Sequence, residues 1–265
     1  MLLILAIYLV LGAFAGVFAG LLGVGGGIIL VPVLNVTLPM EGVPASLAHH
    51  MALATSMGSI VFTAASSARA HNKRGTVLWD IVKVMAPGVV LGTLSGTFVV
   101  SMIPSAPLKV VFTGFVFFMA IQMILDAKPK ASRHLPAKRW MFLYAAAVGM
   151  FSSFVGIGGG VLIIPFLVMC NVPMINVIGV SAVLGFPLAI AGSLGFIWNG
   201  YGLPDLPPYS LGYIHLTALA GIVVASMLTA PLGVKLSHSL PSRTLKRFFG
   251  FVLVIIAARM LYSIL

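Results

Sequence analysis

The chain has 265 residues, 60% of them hydrophobic and 7% charged, with a formal net charge of +11. That composition excludes a soluble globular domain and marks a membrane protein with recurring apolar runs. The basic residues sit in short loops between those runs, where they orient a membrane chain, so the charge does not indicate a nucleic-acid partner. A single cysteine, Cys170, leaves neither a disulfide nor a cysteine zinc site.

In chain order, residues 2–22 form the first apolar run. It has no basic start and leads straight into a glycine motif, so it reads as a helix of the mature fold and not as a cleaved leader. The motif is Gly23-Val-Gly-Gly-Gly-Ile-Ile-Leu-Val-Pro32-Val-Leu34. Three consecutive glycines cost a helix roughly 1 kcal/mol each relative to alanine, which predicts a break. A short apolar arm, 28–38, follows, and then helices 46–67, 79–100 and 107–126. The polar linker Lys128-Pro-Lys-Ala-Ser-Arg-His-Leu-Pro-Ala-Lys-Arg139 divides the chain. The second half runs 140–157, a second break, an arm at 161–172, and helices 177–199, 212–235 and 243–264.

The second break, Gly156-Ile-Gly-Gly-Gly-Val-Leu-Ile-Ile-Pro165-Phe-Leu167, copies the first at an offset of 133 residues. Gly12, Gly16 and Gly20 match Ala145, Gly149 and Ser153 at the same offset. Such stripes of small residues let helices approach closely in lipid, within one chain or between subunits, so a homo-oligomer stays open. The predicted architecture is an all-α polytopic membrane protein, one membrane domain over 1–265. It comprises repeat 1 (1–126), a cytoplasmic linker (127–139) and repeat 2 (140–265). Each repeat is a broken-helix hairpin plus three transmembrane helices.

Charge sets the sidedness. With the loop Arg69–Arg74, the linker and 235–247 in the cytoplasm, only Lys109 and Arg259 of the basic residues fall near the far side. The loop Tyr201–Pro208 has no basic residue and falls outside, as the positive-inside rule expects. Helix 46–67 then runs inward and helix 177–199 outward, which makes the two repeats inverted in topology and puts the C-terminus outside. Arms of about 11 or 12 residues rise roughly 16–18 Å, against a hydrocarbon core of about 30 Å. Each break is therefore expected near the midplane, approached from opposite faces; a complete span that merely kinks is the alternative.

A helix that starts just after glycines offers unpaired N–H groups, a partial positive charge and close access for a ligand. Two such starts make a main-chain anion site that needs no buried lysine or arginine. Gly25, Gly26, Gly27, Gly158, Gly159 and Gly160 are the candidate substrate-binding residues, although tight helix crossing alone would also explain them. Ser56, Thr55 and Ser181 are candidate hydroxyl donors. Hydroxyls in a helix also bond their own carbonyls. His49 and His50 stand near the outer end of their helix, and His50 is a candidate pathway residue beside an ordinary interfacial reading. His215 reads as interfacial. Neither glycine motif completes a nucleotide-binding pattern. No metal site, cofactor or nucleophile–base pair is indicated, which argues against an enzyme, and long docking segments expected of an assembly protein are missing.

The four acids, Glu41, Asp80, Asp126 and Asp205, all fall at or near predicted span ends. Proton or sodium coupling usually rests on intramembrane carboxylates or histidine relays, so the expectation is uncoupled movement of an anion down the membrane potential.

The paired glycine motifs, Ala54-Thr55-Ser56, Ala70-His-Asn-Lys-Arg-Gly75 and Tyr209-Ser-Leu-Gly-Tyr-Ile-His215 resemble those of the TauE/SafE family. Ala230-Pro-Leu-Gly-Val-Lys235 and Leu245-Lys-Arg-Phe248 extend the resemblance over nearly the whole chain. The resemblance implies a multi-pass permease of the plasma membrane for small sulfur oxyanions such as sulfite, sulfoacetate or related sulfonates, with export as the implied direction. Uptake of the same anions, or passage of another small organic anion, is the alternative.

Overall fold

The protein is described by a computed structural model covering residues 2–22, 27–125, 134–239 and 242–262. Those residues form ten helices and one short hairpin. The first half holds α1 (Leu2–Leu22), α2 (Gly27–Met40), α3 (Ala45–Lys73), α4 (Trp79–Met102) and α5 (Ser105–Leu125). The second holds α6 (Lys138–Val155), α7 (Gly160–Met169), α8 (Met174–Gly200), β1 (Ser210–Leu211), β2 (Ile214–His215), α9 (Leu216–Ser239) and α10 (Ser242–Tyr262). An almost wholly helical backbone is what a bilayer demands, because a helix satisfies its polar groups internally. Helices α3, α4, α5 and α8 are each long and apolar enough to cross a membrane. Large apolar side chains such as Leu91, Phe98, Phe118 and Ile255 are exposed on the outer faces of α4, α5 and α10.

The broken arms are short, as their lengths in the sequence suggest. Helix α2 has 14 residues and α7 has 10, about 21 and 15 Å of rise against a core of about 30 Å. α7 ends three residues before the predicted 172, because Cys170 caps it and Asn171 takes a left-handed φ of 62°. Prolines cap the starts of the next helices, Pro44 before α3 and Pro173 before α8.

The two halves use the same packing scheme. α1 packs on α9 as α6 packs on α4, α2 lies on α3 as α7 lies on α8, and α3·α8 and α5·α10 pair across the halves. Exchanging the first five helices for the last five maps this set of neighbours onto itself. The small-residue stripes are consumed inside the chain. A Cβ on Gly16 would sit 2.5 Å from the Ser226 carbonyl oxygen, and one on Gly149 would strike the Val89 carbonyl. Hydroxyls close both seams, Thr229 donating to the Ala13 carbonyl at 2.8 Å and Ser153 to the Thr93 carbonyl at 3.0 Å.

One predicted element is corrected. The helix expected from 212 begins at Leu216, and residues 210–215 form the β1–β2 hairpin instead. Gly212 at φ +55° and Tyr209 at φ 63° turn the chain out of helical geometry. The hairpin is then fixed to the end of α8, where the Tyr213 N–H donates to the Phe196 carbonyl at 3.3 Å.

Candidate functional site

The two glycine breaks touch. Helix α6 ends at Gly156, whose φ of +64° is a left-handed cap that glycine adopts without strain. A side chain there would press on Leu53 of α3 at 2.9 Å and Val31 of α2 at 3.0 Å. The Gly156 carbonyl accepts the Ser56 hydroxyl at 2.8 Å and lies 2.5 Å from where a Cβ on Gly27 would stand. The start of α2, the end of α6 and the middle of α3 thus meet at one point. Ser56 lies eleven residues along α3 from Ala45, about 16 Å, or half the depth of a hydrocarbon core of about 30 Å.

Beyond Gly156 the main chain presents donors. Gly158, Gly159, Gly160 and Val161 are buried, and among the described residues their N–H groups donate to no backbone carbonyl. The first bonds of α7 begin with Leu162 and Ile163, both donating to the Gly159 carbonyl at 3.1 and 2.9 Å. A buried donor without an acceptor costs about 1–3 kcal/mol, and a helix start carries roughly half a positive charge. Four such groups in a row are what a main-chain anion site would require. Pro165 removes the donor that would pair with the Val161 carbonyl.

The other sequence candidates are distributed as follows. Gly25 and Gly26 lie outside the described residues. The Thr55 hydroxyl accepts the His215 main-chain N–H at 3.0 Å. His50 is engaged at the ends of neighbouring helices: Nδ1 is 3.0 Å from the Ser105 hydroxyl, and Nε2 is 3.1 Å from the Val100 and Ile103 carbonyls. Its ring stacks on Tyr213 at 5.2 Å. Ser181 stands eight residues into α8, buried, with its hydroxyl unpaired among the described residues. Its register differs from that of Ser56 in α3. α7 is four residues shorter than α2, so counting from the capping prolines pairs Ser181 with Ala52, and Ser56 with Gly185. Gly27, Ser56 and Gly156 are brought together, with Gly158–Gly160 directly following; His50 and Ser181 occupy other places.

A polar cluster that the sequence reading missed lies at the far end of α2. Glu41 directly follows α2, where it accepts a hydrogen bond from the Tyr8 hydroxyl of α1 and stands 3.9 Å from His215 Nε2; His215, expected at an interface, is buried instead. The scarcity of acids, with one placed immediately after a broken arm, was the available signal. A separate cleft of about 390 Å³ opens among α5, α6 and α7. Its lining, Val111, Phe115, Phe118, Phe151 and Leu162, is apolar and suits an acyl chain better than an anion. Among the described residues no three His, Cys, Asp or Glu side chains gather as a metal site would require.

Comparison with known proteins gives a consistent result. Residues 8–260 match the family described as "Sulfite exporter TauE/SafE". A "probable membrane transporter protein" of Haemophilus influenzae is 38% identical over 95% of this chain and 96% of its own length. Proteins with that same description from Xylella fastidiosa and Methanocaldococcus jannaschii are 30% and 25% identical, over 93% and 98% of this chain and 90% and 96% of theirs. No solved structure matches the chain.

Proposed function

The chain belongs to the TauE/SafE sulfite exporter family of membrane transporters, and from that premise we propose that it exports a small sulfur oxyanion, sulfite or an organosulfonate, through a main-chain site at the glycine breaks. The observation that carries this reading is the run of buried amides at Gly158–Val161, which donate to no backbone carbonyl among the described residues, two residues beyond the contact of Gly27, Ser56 and Gly156. A sulfonate offers three acceptor oxygens and one negative charge, which suits several fixed N–H groups and needs no buried cation. Gly27 is the matching helix start from the first repeat, with Ser56 beside it holding the Gly156 carbonyl.

The repeats are inverted across the plasma membrane, and several contacts favour that arrangement. The segments placed outside by charge gather at one end of the bundle: Ser105 donates to the Ser46 carbonyl, and Tyr213 stacks on His50. Those placed inside gather at the other, where the Asn176 amide donates to the Thr76 carbonyl at 2.9 Å. A negative cell interior drives a monovalent anion outward by about 2.3 kcal/mol per 100 mV, so export needs no coupling ion. The test is flux into proteoliposomes of sulfite, sulfoacetate and thiosulfate, with a potential and a pH gradient imposed separately. Transport of a sulfur oxyanion under potential alone is expected. Equal exclusion of all three would overturn the cargo, and a steady-state accumulation that follows the pH gradient would overturn the uncoupled mechanism.

A further inference from the structure

Glu41 directly follows α2, and its carboxylate is held from two sides. The Tyr8 hydroxyl of α1 donates to one oxygen, and His215 Nε2 of β2 stands 3.9 Å from the other. The tautomer of that imidazole follows from its far side. His215 Nδ1 accepts the Ala218 N–H at 3.4 Å, at the start of α9, and lies 3.0 Å from the Thr217 hydroxyl. An accepting Nδ1 carries no hydrogen, so the neutral ring bears its hydrogen on Nε2, toward Glu41. Burial holds the imidazole below its ordinary value, while the Glu41 carboxylate acts against that shift. The ring is therefore neutral at neutral pH and gains its second proton, on Nδ1, only on acidification.

This cluster is connected to the anion site by two routes. α2 is a single rod of 14 residues with Glu41 beyond one end and Gly27, in contact with Gly156, at the other. Thr55, which accepts the His215 N–H, adjoins Ser56, which donates to Gly156. The titratable groups facing the cluster are few. α1 contributes Tyr8 and α2 leads into Glu41. α3 contributes His49 and His50, and α5, packed on α3, adds Lys109. The α8–α9 connection contributes Tyr213 and also carries Tyr201, Asp205 and Tyr209, which are exposed. Among the described residues α8 and the first turn of α9 contribute none.

We propose that Tyr8, Glu41 and His215 form a proton-binding latch on the outer end of α2. A proton from outside converts the 3.9 Å contact of a neutral ring into an ion pair, clamps the arm against α1 and β2, and slows anion release. One proton is taken from external water by Nδ1 and returned when the latch opens; it is not carried across, so it alters the rate and not the final accumulation. The consequence for flux rests on the transport reading above, whereas the proton site itself does not.

Two measurements test it. In protein labelled at histidine, one of the ring resonances is expected to titrate on acidification with a midpoint below the ordinary imidazole value. That signal is absent in His215→Gln, and its midpoint falls by about one unit in Glu41→Gln, which keeps size and an acceptor for Tyr8. In proteoliposomes loaded with methanesulfonate, whose charge is fixed over this range, initial efflux at clamped potential and constant internal pH is expected to slow when the outside is acidified. Glu41→Gln and His215→Gln are expected to lose that response. A His215 signal that does not titrate, a midpoint unmoved by Glu41→Gln, or wild-type efflux indifferent to external pH would each overturn the latch. Normal titration with no sulfonate flux at any pH would support the proton site and overturn the cargo reading.

Discussion

Gly27 and Gly114 are both helical glycines, yet their surroundings predict opposite effects of one added methyl group. At Gly27 a Cβ would sit 2.5 Å from the Gly156 carbonyl oxygen and 3.0 Å from the Ser56 hydroxyl, and the carbonyl is backbone that cannot swing away. At Gly114 a Cβ meets nothing within 4 Å. Gly27→Ala is expected to lose about 1–3 kcal/mol through overpacking, and Gly114→Ala to gain up to about 1 kcal/mol from helix propensity. Thermal unfolding in detergent distinguishes them, and equal stability of the two variants would mean that the breaks do not touch. Ser181 gives a complementary case. Among the described residues its hydroxyl has no partner to lose, so Ser181→Ala should leave unfolding unchanged. If it completes the anion's shell, sulfite affinity by calorimetry should fall about tenfold, the worth of a hydrogen bond of about 1.5–3 kcal/mol to a charged group. Unaltered affinity would remove Ser181 from the site.

At the scale of elements, the arms were legible because triple glycine followed by an apolar run has few other structural meanings. The β1–β2 hairpin was not. Each of its strands has two residues, too few for any periodicity, and the left-handed Tyr209 is a geometry that sequence rarely signals. Ser56 and Ser181 also stand at different registers of their helices, for a related reason. The repeat offset of 133 that aligns the glycines shrinks to 129 at Pro44 and Pro173, and a four-residue loss inside one arm is invisible until both arms are built. The Glu41–His215 contact was hidden too, since it joins residues far apart in the chain through the hairpin that was missed. The hairpin's attachment to α3 is itself testable. Thr55→Val removes the acceptor of the His215 N–H at 3.0 Å and leaves a buried donor unpaired. Hydrogen exchange of the His215 amide should accelerate by roughly tenfold for a loss of about 1–2 kcal/mol in local opening. No change in exchange would show that the backbone contacts to α8 alone hold the hairpin.

For the whole molecule, the exchange symmetry of helix neighbours carries a mechanistic consequence. On the proposed reading, an anion site between two inverted repeats would be approached from opposite faces by matching arms, so that one conformation of the pair would open it outward and the mirrored one inward. The arms are not equivalent here. Most of α2 is buried, while the middle of α7 is only partly covered and borders the apolar cleft. The acid latch also belongs to α2, since Cys170 and Asn171 follow the matching end of α7. On the uncoupled reading proposed above, such asymmetry would set rates and leave the driving force to the anion's own charge. With the internal potential clamped about 100 mV positive relative to the bath, a monovalent sulfonate gains about 2.3 kcal/mol on entry, a steady-state ratio of roughly 50. That ratio should be the same at every external pH, although the time to reach it lengthens in acid. A divalent anion such as sulfite in alkali should gain about 4.6 kcal/mol and accumulate to the square of that ratio. Radiolabelled accumulation in proteoliposomes of known internal volume reads both values. An endpoint that tracked pH at fixed potential would require a proton to cross with the anion, and Glu41 and His215 would then be carriers in the cycle and not its latch.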